Sequence, residues 1–90
     1  MYEIIFRNPA KRFLKNLNID SQKRVLNKIE KLINNPKIGK PLTGNLKGFW
    51  RLRQDNYRII YKIKEQELII YIINIGDRER IYKNKFSNHL

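Results

Sequence analysis

Cysteine is absent and histidine occurs once, at His89. Those gaps exclude disulfide scaffolds, thiolate zinc sites, cysteine nucleophiles and any acid–base device that needs two histidines in one chain. Acidic residues are scarce: 8 Asp and Glu stand against 20 Lys and Arg, a formal net charge of +12. The few carboxylates form no cluster with metal-ligand spacing, and neither a phosphate-binding glycine loop nor a Ser-His-Asp set is present. Neither a metal nor a cofactor is therefore expected. Long hydrophobic runs are also missing. The longest, Leu68 to Ile73, has six residues, far short of the ~20 that a spanning helix needs. Met1 to Phe6 lacks a basic segment followed by a long apolar stretch, so no export signal is read there. The expected location is cytoplasmic, with no membrane partner.

What is present is one core's worth of apolar residues and a large excess of cations. Ninety residues, 41% of them hydrophobic, suit a single domain over 1–90 and exclude a two-lobed enzyme with a cleft between domains. The sequence carries 12 Lys, 15 Ile and 11 Asn, all encoded by A/T-rich codons, so part of the lysine excess can reflect genome composition. The 8 Arg are not explained that way. A basic chain favours an anionic partner, nucleic acid or an acidic protein.

The patterning divides the chain into a helical half and a strand half, separated by a loop from Pro36 to Gly48. Residues 2–7 read as a strand, with Ile4, Ile5 and Phe6 as β formers. Asn8-Pro9 reads as a helix start, Asn as the N-cap and Pro at the first helical position. Ala10, Phe13, Leu14 and Leu17 then form one apolar stripe. A second helix starts at Asp20 or Ser21, with Val25, Leu26, Ile29, Leu32 and Ile33 as its stripe, and ends before Pro36. The short connection predicts an antiparallel helical hairpin. Strands follow at 50–54, 57–64 and 68–75, with a two-residue turn at Asp55-Asn56. Gly76 is expected to end the last strand, and Glu79 to Phe86 to form a short helix or tail. The order β-α-α-β-β-β predicts an α+β fold: a mainly antiparallel sheet with the two-helix hairpin packed on one face. The position of the first strand in that sheet is left open.

The two-residue turn fixes a register: Gln54 pairs with Tyr57, Arg53 with Arg58, Leu52 with Ile59 and Arg51 with Ile60. Side chains alternate along a strand and opposed residues share a face. Trp50, Leu52, Ile59 and Tyr61 then face the helices, and Arg51, Arg53 and Arg58 project together from the other, open face. Opposed Arg53 and Arg58 repel by some tenths of a kcal/mol. The arrangement makes sense where an anion sits, since the planar guanidinium gives two parallel charge-assisted bonds to phosphate. The alternative is that arginines merely blunt an exposed sheet face. Arg78 and Tyr82, just beyond the last strand, are further candidates. A phenol there can donate, accept or stack on a base. Against that, Tyr82 could be a packed aromatic and Arg78 an ion-pair partner of Asp77 or Glu79. Phe6, Phe13, Phe49 and Trp50 read as core.

The segments Gly48-Phe49-Trp50-Arg51-Leu52-Arg53, Asn56-Tyr57-Arg58-Ile59-Ile60-Tyr61 and Ile75-Gly76-Asp77-Arg78 with Tyr82 resemble the RelE/ParE superfamily of toxins, most closely its RelE branch. The resemblance covers nearly the whole chain, including the element order. It implies the toxin of a type II toxin–antitoxin pair. In its RelE branch it implies a ribosome-dependent, metal-independent endoribonuclease that cuts mRNA in the ribosomal A site and so inhibits translation. There the ribose 2′-hydroxyl attacks the adjacent phosphate. Carried onto this sequence, Arg51 is a basic strand residue of the site and Arg58 and Arg78 stabilise the phosphate. Arg78 is also the proton donor, and Tyr82 stacks on or orients the nucleotide. Lys47, Arg53, Arg80 and Lys83 are the further basic residues expected to touch RNA. The implied partners are a separate RelB-like antitoxin, the ribosome and mRNA, with transcriptional DNA binding only through the antitoxin.

Two positions depart from the pattern. Asp77 stands where many relatives have His or Lys, and Phe49 where some have a strand lysine. The general base is thus unassigned among Tyr82, Lys83 and His89. Two other readings share the fold: a ParE-like inhibitor of DNA gyrase without nuclease activity, and an inactive toxin fold that acts only inside its antitoxin complex.

Overall fold

The structure, a computed structural model, describes residues 1–77. In chain order these form β1 (Glu3–Phe6), α1 (Asn8–Lys15), α2 (Ile19–Glu30), β2 (Lys40–Pro41), β3 (Trp50–Gln54), β4 (Tyr57–Lys64) and β5 (Ile69–Asp77). Short 3-10 turns occupy Lys31–Ile33, Pro36–Ile38 and Gly44–Leu46. The expected α+β fold is observed, with one strand more than expected: β2, inside the loop from 36 to 48. The expected helix or tail from Glu79 to Phe86 lies outside the described residues.

The helix starts differ from expectation by one or more residues. Arg7 (φ −79°, ψ 161°), not Asn8, is the N-cap of α1, and no side-chain bond closes it. The cause is the neighbouring strand: the Arg7 N–H donates to the Ile72 carbonyl at 2.9 Å. That bond carries the ladder one residue past β1 and holds Arg7 extended, so the chain turns only at Asn8. Pro9 sits in the first turn, where its missing N–H costs nothing. In α2 the cap is Asn18 rather than Asp20 or Ser21; its side chain accepts from the Ser21 N–H at 2.8 Å. Asp20 instead lies in the first turn, where its charge meets the positive end of the helix.

The sheet order is β1-β5-β4-β3-β2. β1 pairs parallel with β5; the other three pairings are antiparallel. This places the strand whose position the sequence left open at an edge. The β3–β4 register is the expected one, Arg53 opposite Arg58 and Leu52 opposite Ile59. Two boundaries move. Leu68 is not strand but turn, with a left-handed φ of 57°, and β5 runs on through Gly76 to Asp77.

Two apolar clusters sandwich the sheet. On one face Ala10, Leu14, Val25, Ile29 and Leu32 of the helical half pack on Leu52, Ile59, Tyr61, Ile70, Ile72 and Ile75. Leu26, expected in that stripe, is exposed. On the other face Phe49, Ile60 and Ile73 are buried beneath Leu42, Leu46 and Tyr71. The face expected to be open is therefore half covered. The loop that covers it closes through a bond from the Leu42 N–H to the Phe49 carbonyl at 2.9 Å. Gly48, at φ 99°, makes the turn that no side chain would readily allow. Ile59-Ile60-Tyr61 and Ile69 to Ile73 carry the signature of strands buried on both faces: continuous apolar runs, not alternation.

Candidate nucleic-acid interface

The register sorts the ionisable side chains by face. Lys40 opposes Arg51, Arg53 opposes Arg58, and Lys62 and Lys64 follow Arg58 on the same face at four and six residues. These six project on the side away from the helices, around the second apolar cluster. Every charged side chain that β2 to β5 place on this face is thus basic; among the described strand residues Glu3, on edge strand β1 opposite Ile69, is the acid of the face. Six like charges on one sheet face repel one another and raise the local potential, which focuses an anionic ligand there.

The acids of the strand half lie elsewhere. Asp55, in the β3–β4 turn at φ 54°, accepts from Arg24 Nε of α2 at 2.9 Å. That hydrogen bond, with a second from Gln54, keeps the Asp55 carboxyl below the usual carboxylate range. Glu65, in the β4–β5 turn, pairs with Lys37 at 3.2 Å. Asp77 opposes Tyr57, on the helix side of the sheet, so within the strand its carboxylate is directed away from the face that bears Arg58.

The expected site residues are not all equivalent. Arg53 is exposed, Arg51 is half-buried, and Lys47 is exposed on the covering loop. Arg58 corrects the expectation of an open-face residue: it shares the face but is only 7% exposed. It stands between Arg53 on β3 and Gly76 on β5, in a row whose β5 member carries no side chain to compete for space. Arg78, Arg80, Tyr82 and Lys83 lie outside the described residues.

Two features of the site went unread in the sequence. Tyr61 is fully buried on the helix side, and its hydroxyl reaches the strand's end: it donates to the Pro36 carbonyl at 2.7 Å and accepts from the Gly39 N–H at 3.2 Å. Burial pushes its pKa up to about 12. The bond ties down the start of β2, hence the place of Lys40 beside Arg51. Gly39 is required there, since a Cβ would stand 2.6 Å from the Tyr61 hydroxyl and closer still to the Arg51 carbonyl. The second feature is a buried polar residue, Asn74, opposite Ile60 on the basic face. The β4–β5 register slips between Ile60 and Tyr61, and beside that bulge Asn74 Oδ1 accepts from the Ile75 N–H at 2.9 Å. A lone Asn in an isoleucine run was the available signal.

Chemically, the face offers permanent cations, one of them nearly enclosed, a carboxamide and aromatic rings. That set can bind and polarise a phosphodiester.

The family model described as the ParE toxin of the type II toxin–antitoxin system matches residues 4–82. A RelE-like toxin protein of Escherichia coli is 28% identical over 81 residues, 88% of this chain and 85% of that protein. Among solved structures, the toxin–antitoxin complex RelBE2 from Mycobacterium tuberculosis superposes with a TM-score of 0.78 at 28% identity, covering 86% of this chain and 98% of its counterpart. The intact E. coli RelBE toxin–antitoxin complex gives 0.74 at 20% identity over 89% of this chain and 100% of that one, a likeness of fold.

Proposed function

This chain belongs to the ParE toxin family of type II toxin–antitoxin systems, within the RelE/ParE superfamily, and on that premise we propose that it is a ribosome-dependent endoribonuclease that cuts mRNA in the ribosomal A site. The observation that carries the reading is the set of six basic side chains that β2, β3 and β4 place on the sheet face, with enclosed Arg58 beside exposed Arg53.

In the proposed reaction the ribose 2′-oxygen attacks the adjacent phosphorus while its proton passes to a base. The bond to the 5′-oxygen breaks, that oxygen gains a proton, and a 2′,3′-cyclic phosphate and a 5′-hydroxyl result. Negative charge builds on the non-bridging oxygens in between. Arg58, shielded from water by its neighbours, meets that charge where screening is weakest, and Arg51 supports it from the next row. Losing one such donor in a preorganised site costs on the order of 10²–10³ in rate. Arg78 as proton donor and Tyr82 as the stacking residue complete the assignment by resemblance. Lys47, Arg53, Arg80 and Lys83 contact the RNA backbone.

The partner that neutralises the toxin is a separate, acidic, RelB-like chain. The superposable M. tuberculosis structure is a toxin–antitoxin complex, and a segment of negative charge laid across the basic face would block RNA. The setting is the cytoplasm, where ribosomes and mRNA are.

The test is to map mRNA 5′ ends after mixing the protein with programmed ribosomes. New ends within the A-site codon, reduced at least a hundredfold by Arg58→Ala in a folded protein, are the expected result. No new ends, together with inhibition of gyrase supercoiling, would move the chain to a non-nuclease role.

A further inference from the structure

We propose that the basic face carries a second contact zone for a single RNA strand, formed by Arg7, Tyr71 and Lys62 at the end remote from Arg53 and Arg58. The inference rests on the RNA-cleaving reading and deepens it: this zone holds the strand at a distance from the reacting phosphate and so sets which nucleotide is presented for cleavage.

The register gives the span. Arg58 and Lys62 are four residues apart on the same face of β4, about 14 Å at ~3.4 Å per residue. A stacked strand rises ~3.4 Å per nucleotide, so the two zones lie about four nucleotides apart. Lys62 opposes Tyr71 on β5, and Tyr71 opposes Ile5 on β1, two residues before Arg7. The three side chains therefore follow one line across the sheet, from the end of β1 over β5 to β4.

Both cations are already arranged. The Arg7 guanidinium carbon lies 4.5 Å from the centroid of the Tyr71 ring. Lys62 Nζ lies 5.7 Å from the centroid of Phe49. Both rings belong to the second apolar cluster, so they are fixed platforms. The backbone of Arg7 is held at each side, its N–H on the Ile72 carbonyl at 2.9 Å and its carbonyl accepting from the Lys11 N–H at 3.0 Å. Among the described residues neither Arg7 nor Lys62 is in an ion pair with an acid. Cations that are already stacked lose less side-chain freedom on binding. A guanidinium lying on a ring keeps its in-plane N–H groups for phosphate oxygens and offers its outer face to a base.

The experiment is fluorescence anisotropy of a short labelled single-stranded RNA with the full chain, across a salt series, for wild type, Arg53→Gln, Arg7→Lys and the double variant Arg7→Gln/Lys62→Gln. The double variant should bind about tenfold more weakly, and its salt slope should flatten by roughly 1.4, at 0.7 per phosphate lost on a single strand. Its melting temperature should stay within a few degrees of wild type, and mRNA ends on programmed ribosomes should spread to neighbouring positions. Arg7→Lys, which keeps the charge and loses the stacked fork, should fall between wild type and the double variant. Unchanged affinity and slope in the double variant, with weakened binding in Arg53→Gln, would remove the second zone and leave the RNA reading standing. No RNA binding or cleavage by wild type would remove both. A double variant that binds RNA normally but loses affinity for the antitoxin would assign this end of the face to the protein partner and overturn the proposal.

Discussion

Arg53 and Arg58 stand directly opposite each other across the β3–β4 hairpin, the first exposed and the second 7% exposed. Opposed like charges destabilise a strand pair by some tenths of a kcal/mol. A phosphate that met both guanidinium groups would remove that repulsion, so stability and activity should move in opposite directions here. Arg53→Thr should raise the unfolding free energy from urea melts slightly, by a few tenths of a kcal/mol, while weakening RNA cleavage. A variant that lost both, or neither, would deny that the pair is arranged for a ligand.

Arg58→Lys separates charge from shape. A lysine keeps the charge but not the planar fork that meets two phosphate oxygens at once. Cleavage on programmed ribosomes should fall by roughly 10- to 100-fold, with the thermal midpoint within a few degrees of wild type. Activity equal to wild type would show that Arg58 acts as a point charge only.

The Tyr61 hydroxyl bridges the Pro36 carbonyl and the Gly39 N–H, and its pKa is pushed up to about 12. The folded chain holds this proton more tightly than the unfolded chain, whose phenol titrates near 10. The contribution is therefore intact below pH ~10 and lost as the pH rises toward ~12, by roughly 2–3 kcal/mol at 1.36 kcal/mol per unit. Tyr61→Phe should cost about 1–3 kcal/mol at neutral pH. Its stability should also decline less than that of wild type between pH 10 and 12 in paired urea titrations. Gly39→Ala should be worse than Tyr61→Phe at neutral pH, because its methyl would overlap the Arg51 backbone as well as the hydroxyl.

The hairpin was legible because a two-residue turn leaves only one register, and the register sorted Trp50, Leu52, Ile59 and Tyr61 from the arginines. The burial of Arg58 was not legible, because local alternation says which face a side chain takes and nothing about what covers that face. On that face Leu42 and Leu46 pack on Phe49, Ile60 and Ile73, from a loop whose start the Tyr61 hydroxyl holds at Pro36 and Gly39. The edge position of β1 was hidden for the same reason: parallel pairing with β5 is a contact across most of the chain. The helix caps shifted because backbone bonding from β5 to Arg7 outweighed the local preference of Asn8.

Leu68 is a leucine held at φ 57° and 48% exposed, so it carries left-handed strain without a buried side chain to compensate. Its carbonyl accepts from the Glu3 N–H at 2.9 Å, which fixes the conformation from outside. Leu68→Asn should relieve the strain and raise stability by about 0.5–1 kcal/mol. A drop in the melting temperature would mean that the exposed side chain contributes packing not apparent from its surroundings.

Asn74 allows structure and function to be tested at one position, since it serves the backbone with its oxygen while facing the basic side of the sheet. Its Oδ1 takes the Ile75 N–H at 2.9 Å beside the bulge. Asn74→Ala would strand that N–H in a buried strand and should cost about 1–3 kcal/mol, with cleavage per folded molecule retained. Asn74→Asp keeps the acceptor and adds a carboxylate on the face of Arg58 and Arg51. It should unfold at higher urea than the alanine variant, yet cleave mRNA far more slowly, because the new charge competes with phosphate for the same guanidinium groups. Urea melts and single-turnover cleavage on both variants give the comparison. If the aspartate variant cleaved as fast as wild type, the basic face could not be where the phosphate sits.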